Sequence, residues 1–152
     1  MLDEFLIDDK KKVEFAKFEL GETGNWYEVR SMDFKPYLVE FDRIQNKFAK
    51  FKKRGQPINE QKERNEMASS FVRHLLHDWK FTATKKVFEK IFPDIEVIST
   101  DDKKVIEVPF CKKSAYDILK NKKMAKVLGY MIANSADADN FTEPNFDDDL
   151  KN

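Results

Sequence analysis

The chain has 152 residues, which suits a single domain with a substantial core, and its 28 Lys and Arg balance its 28 Asp and Glu. Hydrophobic residues make up 41% of the chain and aromatic residues 13%, with 14 Phe, so the composition favours a folded core over disorder. A formal net charge of zero argues against a protein that binds nucleic acid over its whole surface, although local basic patches stay possible.

The cellular compartment is inferred from the cysteine content, the start of the chain and the length of its apolar segments. The single cysteine, Cys111, excludes an internal disulfide. The first twelve residues contain no basic region followed by an apolar run, and no apolar segment approaches the roughly 20 residues needed to span a bilayer. We therefore expect a soluble protein of a reducing cytoplasm.

The N-terminal third is typical of a small antiparallel β-meander over residues 13–41, preceded by a flexible arm over 1–12. Val13 and Phe15 alternate with polar residues, and the glycines at 21 and 24 supply a turn. Pro36 indicates an edge strand or a bulge. The extended segments predicted are 13–20, 26–29 and 34–41.

From Asp42 the hydrophobic period changes to that of a helix, and we predict helices through residues 42–136. The first ends at Gly55 and Pro57, and Asn59 caps the next, so the two form an antiparallel hairpin. The second is predicted over 58–80, because four apolar residues recur there at every fourth position: Met67, Phe71, Leu75 and Trp79. Trp79 is therefore expected to be buried.

The C-terminal half is predicted to add shorter elements to the same domain, 13–139. Thr84 caps a helix that Pro93 ends, and two short extended runs, 95–99 and 104–108, follow as a hairpin or an irregular excursion. Ser114 and Asp117 have capping-box spacing at the start of another helix. A last helix is expected over 122–134, followed by a disordered acidic tail over 140–152. The fold class predicted is α+β, mainly α-helical.

Three residues have side chains that can bind a metal or take part in catalysis, but none lies at the spacing from other such residues that a known type of site requires. His74 and His77 are three apart on a predicted helix, but a metal site needs three or four converging ligands. Cys111 has no base beside it, only Lys112 and Lys113. We expect no metal, no cofactor and no catalytic role, and hence no enzyme activity.

The basic helix segment from Lys47 to Arg54 is the best candidate for nucleic-acid binding. Phe48 and Phe51 are interleaved with its basic residues, as a stacking surface requires. Their helical spacing favours a core position instead, with the basic residues as the solvated face. A small nucleic-acid-binding regulator is therefore a second alternative rather than the leading hypothesis.

Short aromatic segments occur along the chain in a particular order. They are Trp26-Tyr27-Glu28-Val29, the stretch 34–41, the helix end at Trp79, Val108-Pro109-Phe110, Ser114 with its helix, and the small, acidic and aromatic sequence 133–141. In this order the chain resembles the tail assembly chaperones of long-tailed bacteriophages over about residues 26–141. It departs from the family pattern over 81–105, where a longer segment replaces a short glycine-containing turn.

The resemblance implies a protein that binds without catalysis. Such chaperones coat the tape-measure protein in the host cytoplasm before the tail tube polymerises around it, and are absent from the finished tail. The tape-measure protein is thus the expected partner, and the tail tube protein a further candidate. The first alternative is a structural protein of the virion, in the tail or the head–tail connector.

The last helix is a candidate surface for that partner. Its methionines are unbranched and polarizable, which suits binding to varied apolar sequences. The bland alternative is that the same apolar stripe packs against the segment 58–80. The candidate partner-binding residues are Met124, Val127, Leu128 and Met131.

Overall fold

The computed structural model describes residues 12–21, 24–93 and 101–142. The fold is α+β and mainly α-helical, as the sequence predicts. The strands are β1 (Phe15–Glu19), β2 (Trp26–Arg30), β3 (Leu76–Thr84) and β4 (Val105–Val108). The α-helices are α1 (Lys35–Lys53), α2 (Glu60–His74), α3 (Lys85–Ile91), α4 (Lys112–Leu119) and α5 (Ala125–Ala136). Short 3-10 helices occupy Lys122–Met124 and Ala138–Phe141.

The four strands form one antiparallel sheet in the order β1-β2-β3-β4. Tyr27 lies between Phe18 on β1 and Trp79 on β3, and Phe81 pairs with Val108 on β4. These side chains share the face that packs against the helices, because alternate residues of a strand point to the same side. The strands that make up the sheet come from both halves of the chain.

The third strand predicted for the N-terminal meander is wrong. Residues 34–41 belong largely to α1, and Pro36 lies in its first turn. A proline there costs no hydrogen bond, since the first amides of a helix have no partner within it. Tyr37 and Ile44 are buried on the face of α1 that turns inward. The meander over 13–41 is thus a two-stranded hairpin, β1 and β2, followed by a helix.

The helix predicted over 58–80 is also wrong at its C-terminal end. It ends at His74, and Trp79 lies in β3. A register irregularity opposite Glu28 and Val29 adds one residue to β3, so Leu76 and Trp79 face the core although they are three apart. A bulge breaks the alternation of two in a strand. It therefore gave the sequence of β3 a spacing that is typical of a helix.

The predicted helical hairpin is confirmed as the pair α1 and α2. Lys47 on α1 binds Glu66 on α2 at 2.8 Å, and Glu40 binds Arg73, so the two helices run antiparallel. The side chain of Asn59 caps α2 by accepting a hydrogen bond from the amide of Lys62, as predicted.

The elements after β3 agree with the sequence in type and differ in detail. Thr84 caps α3 as predicted, and the strand expected near 104–108 is β4, which pairs with β3. The extended run predicted over 95–99 lies outside the described residues. Cys111, not Ser114, is the N-cap of α4, since its Sγ accepts a hydrogen bond from the amide of Ser114.

The chain end predicted as a tail contributes to the core where it is described. Phe141 is 4% exposed, and its carbonyl accepts a hydrogen bond from the amide of Val13. Lys12 forms an isolated bridge with Thr142, so both predicted boundaries lie within the folded part. The rest of the predicted arm, 1–11, and of the predicted tail, 143–152, lie outside the described residues.

The packing of the core between the sheet and the helices can be tested at Trp79. Its ring stacks on Phe81 at 4.6 Å, and its indole N–H donates to the carbonyl of Val108 at 2.9 Å. We expect Trp79→Ala to lower the free energy of unfolding by about 3–5 kcal/mol, measured by urea denaturation. Trp26→Ala is the matched control, because Trp26 lies on the other face of the sheet under Lys17 and should cost less. Equal losses in the two variants would contradict this account.

Tyr37 gives the fold a dependence on alkaline pH. Burial raises its pKa to about 12 from an ordinary value of 10.0, so the unfolded chain loses this proton first as the pH rises. Stability should therefore fall above about pH 10, by about 1 kcal/mol at pH 11 relative to pH 8. Because the Tyr37 hydroxyl has no hydrogen-bond partner among the described residues, Tyr37→Phe should cost little at pH 8. Urea denaturation at both pH values should show a smaller pH dependence in Tyr37→Phe than in Tyr130→Phe, an exposed control.

Candidate partner-binding groove

Three shallow, adjoining cavities of about 430, 270 and 290 Å³ lie along one side of the molecule, the first on α1, the second between α1, α2 and α4, and the third between α2 and α4. The first and second share Arg43, and the second and third share Arg73 and Tyr116, so together they form one groove. We call this the α1–α2–α4 groove. The Lys and Arg residues that line it are Arg43, Lys47, Lys50, Arg54, Arg73, Lys112 and Lys113.

The helical spacing of α1 supplies one wall of the groove. Arg43, Lys47, Lys50 and Arg54 are separated by four, three and four residues, which places them along one face of a helix. Phe51 lies among them and is half-buried, so its ring forms an apolar part of the wall. The opposite face of α1 is apolar and carries Ile44 into the core.

The groove is positively charged because its two carboxylates already have partners. Glu66 accepts a hydrogen bond from Lys47 at 2.8 Å. Glu40 accepts from Arg73 at 3.1 Å, and its Oε2 lies 2.7 Å from Nε2 of His74. In contrast, Arg43, Lys50 and Arg54 make no ion pair with any other described residue. An anionic group entering the groove would therefore meet cations that are not neutralised.

Lys112 differs from the other groove cations because it is anchored. Its Nζ donates to the carbonyl of Val72 at 2.6 Å and to that of Leu76 at 2.7 Å. Burial, with a smaller contribution from the positive charge of Arg30, lowers the pKa of Lys112 below its ordinary value. Its ammonium therefore holds the end of α2 against the start of β3 and is not free to bind a partner.

The residues predicted to bind a partner lie elsewhere. In α5, Leu128 is 5% exposed and Met131 is fully buried, so both pack in the core. Met124 and Val127 are partly buried and pack against the same core. Most of this stripe is thus packed in the core of the described chain, chiefly against β2 and α4 rather than against the segment 58–80 that was expected, and only the edges of Met124 and Val127 are open to a partner.

The histidines and the cysteine each have a separate structural environment. His74 lies against Glu40 at the interface of α1 and α2, whereas His77 stacks on Phe15 at 4.0 Å and faces Glu28. Hydrogen bonds with Ser114 lower the pKa of Cys111, which is the exposed cap of α4. Within residues 12–21, 24–93 and 101–142, no group of three or more His, Cys, Asp or Glu residues is placed to hold a metal ion.

The stacking surface considered for the basic helix is only partly present. Phe48 is 5% exposed and therefore belongs to the interior, as its helical spacing favours. Phe51 is the ring that reaches the groove, where its centroid lies 6.3 Å from that of Phe48. One half-buried aromatic ring is a poor platform for successive bases.

Sequence reasoning found the part of the α1 wall from Lys47 to Arg54, as a basic helix, but not Arg43 or the rest of the groove. The basic spacing from Arg43 to Arg54 can be read directly from the chain. Arg73 and Tyr116 join it only because α2 and α4 pack side by side. No local pattern marks those two residues.

Four of the six aromatic segments noted in the sequence, 26–29, the end at Trp79, 108–110 and 133–141, meet in one cluster. Tyr27 is the cross-strand partner of Trp79, and the indole of Trp79 contacts the edge of Phe110 at 5.2 Å. The hydroxyl of Tyr27 accepts a hydrogen bond from Asn134, whose carbonyl in turn accepts one from Asn140, next to the buried Phe141. These four segments are therefore joined by contacts in and beside the core.

No family model, no curated protein and no solved structure matches this chain. None of the described helices is long and apolar enough to cross a membrane.

Lys112 can be tested against its neighbour Lys113, which also lines the groove but whose ammonium makes no hydrogen bond or ion pair with another described residue. We expect Lys112→Met to lower the free energy of unfolding by about 1–3 kcal/mol, because two carbonyls lose a charged donor. Lys113→Met should change it by less than about 0.5 kcal/mol. Thermal and urea denaturation of the two variants would decide, and equal stability would show that the anchor is not needed.

Proposed function

We propose that this protein is a tail assembly chaperone of a long-tailed bacteriophage, which binds the tape-measure protein without chemistry and leaves before the tail is complete. The observation that carries the proposal is the cluster around Trp79. Residues from four separated segments, which resemble the family in their order along the chain, also contact one another directly or through one neighbour. Contacts between these segments in the folded chain support the resemblance more strongly than their order along the sequence does.

The α1–α2–α4 groove supports a binding role. It crosses three helices, it combines cations with the half-buried rings of Phe51 and Tyr116, and its carboxylates are engaged internally. Such a mixed surface suits a helical polypeptide, because helix-in-groove recognition uses an apolar stripe with charged residues beside it. Binding of this kind keeps an aggregation-prone helix covered.

The proposal is tested by co-expressing the protein with the tape-measure protein of the same phage genome. We expect the tape-measure protein to be soluble and to co-purify with the chaperone, and to aggregate without it. Mass spectrometry of purified phage particles should find the tape-measure protein but not this chain. Trp79→Ala, which weakens the core, should lower the yield of complex at elevated temperature.

Two outcomes would favour the alternatives. Recovery of this chain from purified particles in stoichiometric amounts would identify a structural protein of the tail or the head–tail connector. Tight binding to DNA or RNA that weakens steeply with added salt, without co-purification of the tape-measure protein, would identify a nucleic-acid-binding regulator.

A further inference from the structure

We propose that the α1–α2–α4 groove binds an acidic amphipathic helix of the client protein. The inference rests on the proposed function, since it names the chemistry of the client segment that the chaperone takes.

The length of the basic stripe matches a short helix. Arg43 and Arg54 are eleven residues apart, which corresponds to about 17 Å along a helix axis. An opposing helix of about three turns would present carboxylates at the same spacing of three and four residues. Each could then lie near one of the unpaired cations of the stripe, Arg43, Lys50 or Arg54.

An ion pair within the groove shows the geometry in which one of its cations binds a carboxylate. Lys47 and Glu66, from facing helices, bind each other at 2.8 Å with side chains that are 34% and 25% exposed. The same geometry is open to a client glutamate at Lys50, one turn further along the stripe. Charged pairs of this kind fix register and favour the correct partner more than they add affinity.

The apolar lining indicates that the occupant has an apolar side as well. The ring of Phe51 lies between the cations of α1, and Tyr116 forms part of the wall from α4. Both are half-buried, so covering them removes apolar area from water. A simple polyanion would leave this area uncovered.

The short length of the stripe favours a protein segment over a nucleic acid. Residues 43–54 carry six basic and no acidic side chains, and the stripe spans about 17 Å. A nucleic acid carries charge along its whole length, so a strand of about 20 nucleotides would extend well past these cations. A short acidic helix ends where the stripe ends.

The test compares two variants with the same change in charge. Arg43→Glu/Lys50→Glu reverses two exposed groove cations, and Lys86→Glu/Lys90→Glu reverses two exposed lysines of α3 outside the groove. The probe is a helical peptide of about 21 residues in which only the central three turns carry a Leu stripe flanked by Glu at helical spacing, so that its charge spans the same length as the stripe. The same peptide with Gln for Glu, and a single-stranded DNA of about 20 nucleotides, complete the set.

We expect the Glu peptide to bind the wild-type protein and the α3 variant equally. Its affinity should fall at least about tenfold in the groove variant, and the Gln peptide should bind at least about tenfold more weakly to the wild type. Circular dichroism and thermal denaturation should show both variants folded. Three results would overturn the proposal: no binding of the Glu peptide, equal losses in both variants, or tighter binding of the DNA.

Co-purification with the tape-measure protein separates this proposal from the function on which it rests. If the tape-measure protein binds the wild type and the groove variant equally, the chaperone function stands and the groove is not its client site. If the Glu peptide binds in the groove but the tape-measure protein does not co-purify with the wild type, the proposed client is wrong and the groove still recognises acidic helices.

Discussion

The direct passage from α2 into β3 is the constraint on which the rest of the structure depends. Only Leu75 separates the helix from the strand, and its carbonyl accepts a hydrogen bond from the amide of Arg30 on β2. The last carbonyls of a helix lack partners within it. Lys112 supplies one to Val72 and binds Leu76 as well, so α4 is attached to both sides of the junction. The sheet and the helical layer are fixed to each other there.

The same junction explains which parts of the fold the sequence could predict. Amphipathic stripes and caps, such as Asn59 and Thr84, depend on neighbours along the chain, and both caps were predicted correctly. The end of α2 was not, because the bulge in β3 gives Leu76 and Trp79 a helical spacing. At Pro36 a helix was mistaken for a strand, because a proline is accepted both in the first turn of a helix and in an edge strand of a sheet. The first error concerns a strand whose spacing is set by pairing with β2, and the second concerns a residue type that both structures accept.

The candidate site follows the same division. The basic stripe on α1 depends on local sequence, and its part from Lys47 to Arg54 was predicted as a basic helix. The positive charge of this stripe does not indicate which residues of α2 and α4 lie beside it. Arg73 and Tyr116 enter the groove through the packing of α2 and α4, and nothing in their own surroundings marks them. The apolar stripe of α5 was equally visible, but Met131 is buried by the tertiary structure. A hydrophobic period predicts a face, not whether that face is covered.

The cluster around Trp79 and the α1–α2–α4 groove support separate hypotheses, and they involve separate residues. Trp79 and Tyr27 carry the resemblance and lie inside, whereas Lys50 and Arg54 carry the binding inference and are exposed. A pattern of core contacts specifies how a chain folds, and it leaves the charge of the surface free to differ. The family resemblance therefore bears on what kind of protein this is. The acidity of the client segment depends only on the cations that α1, α2 and α4 bring together, and each inference can fail without the other.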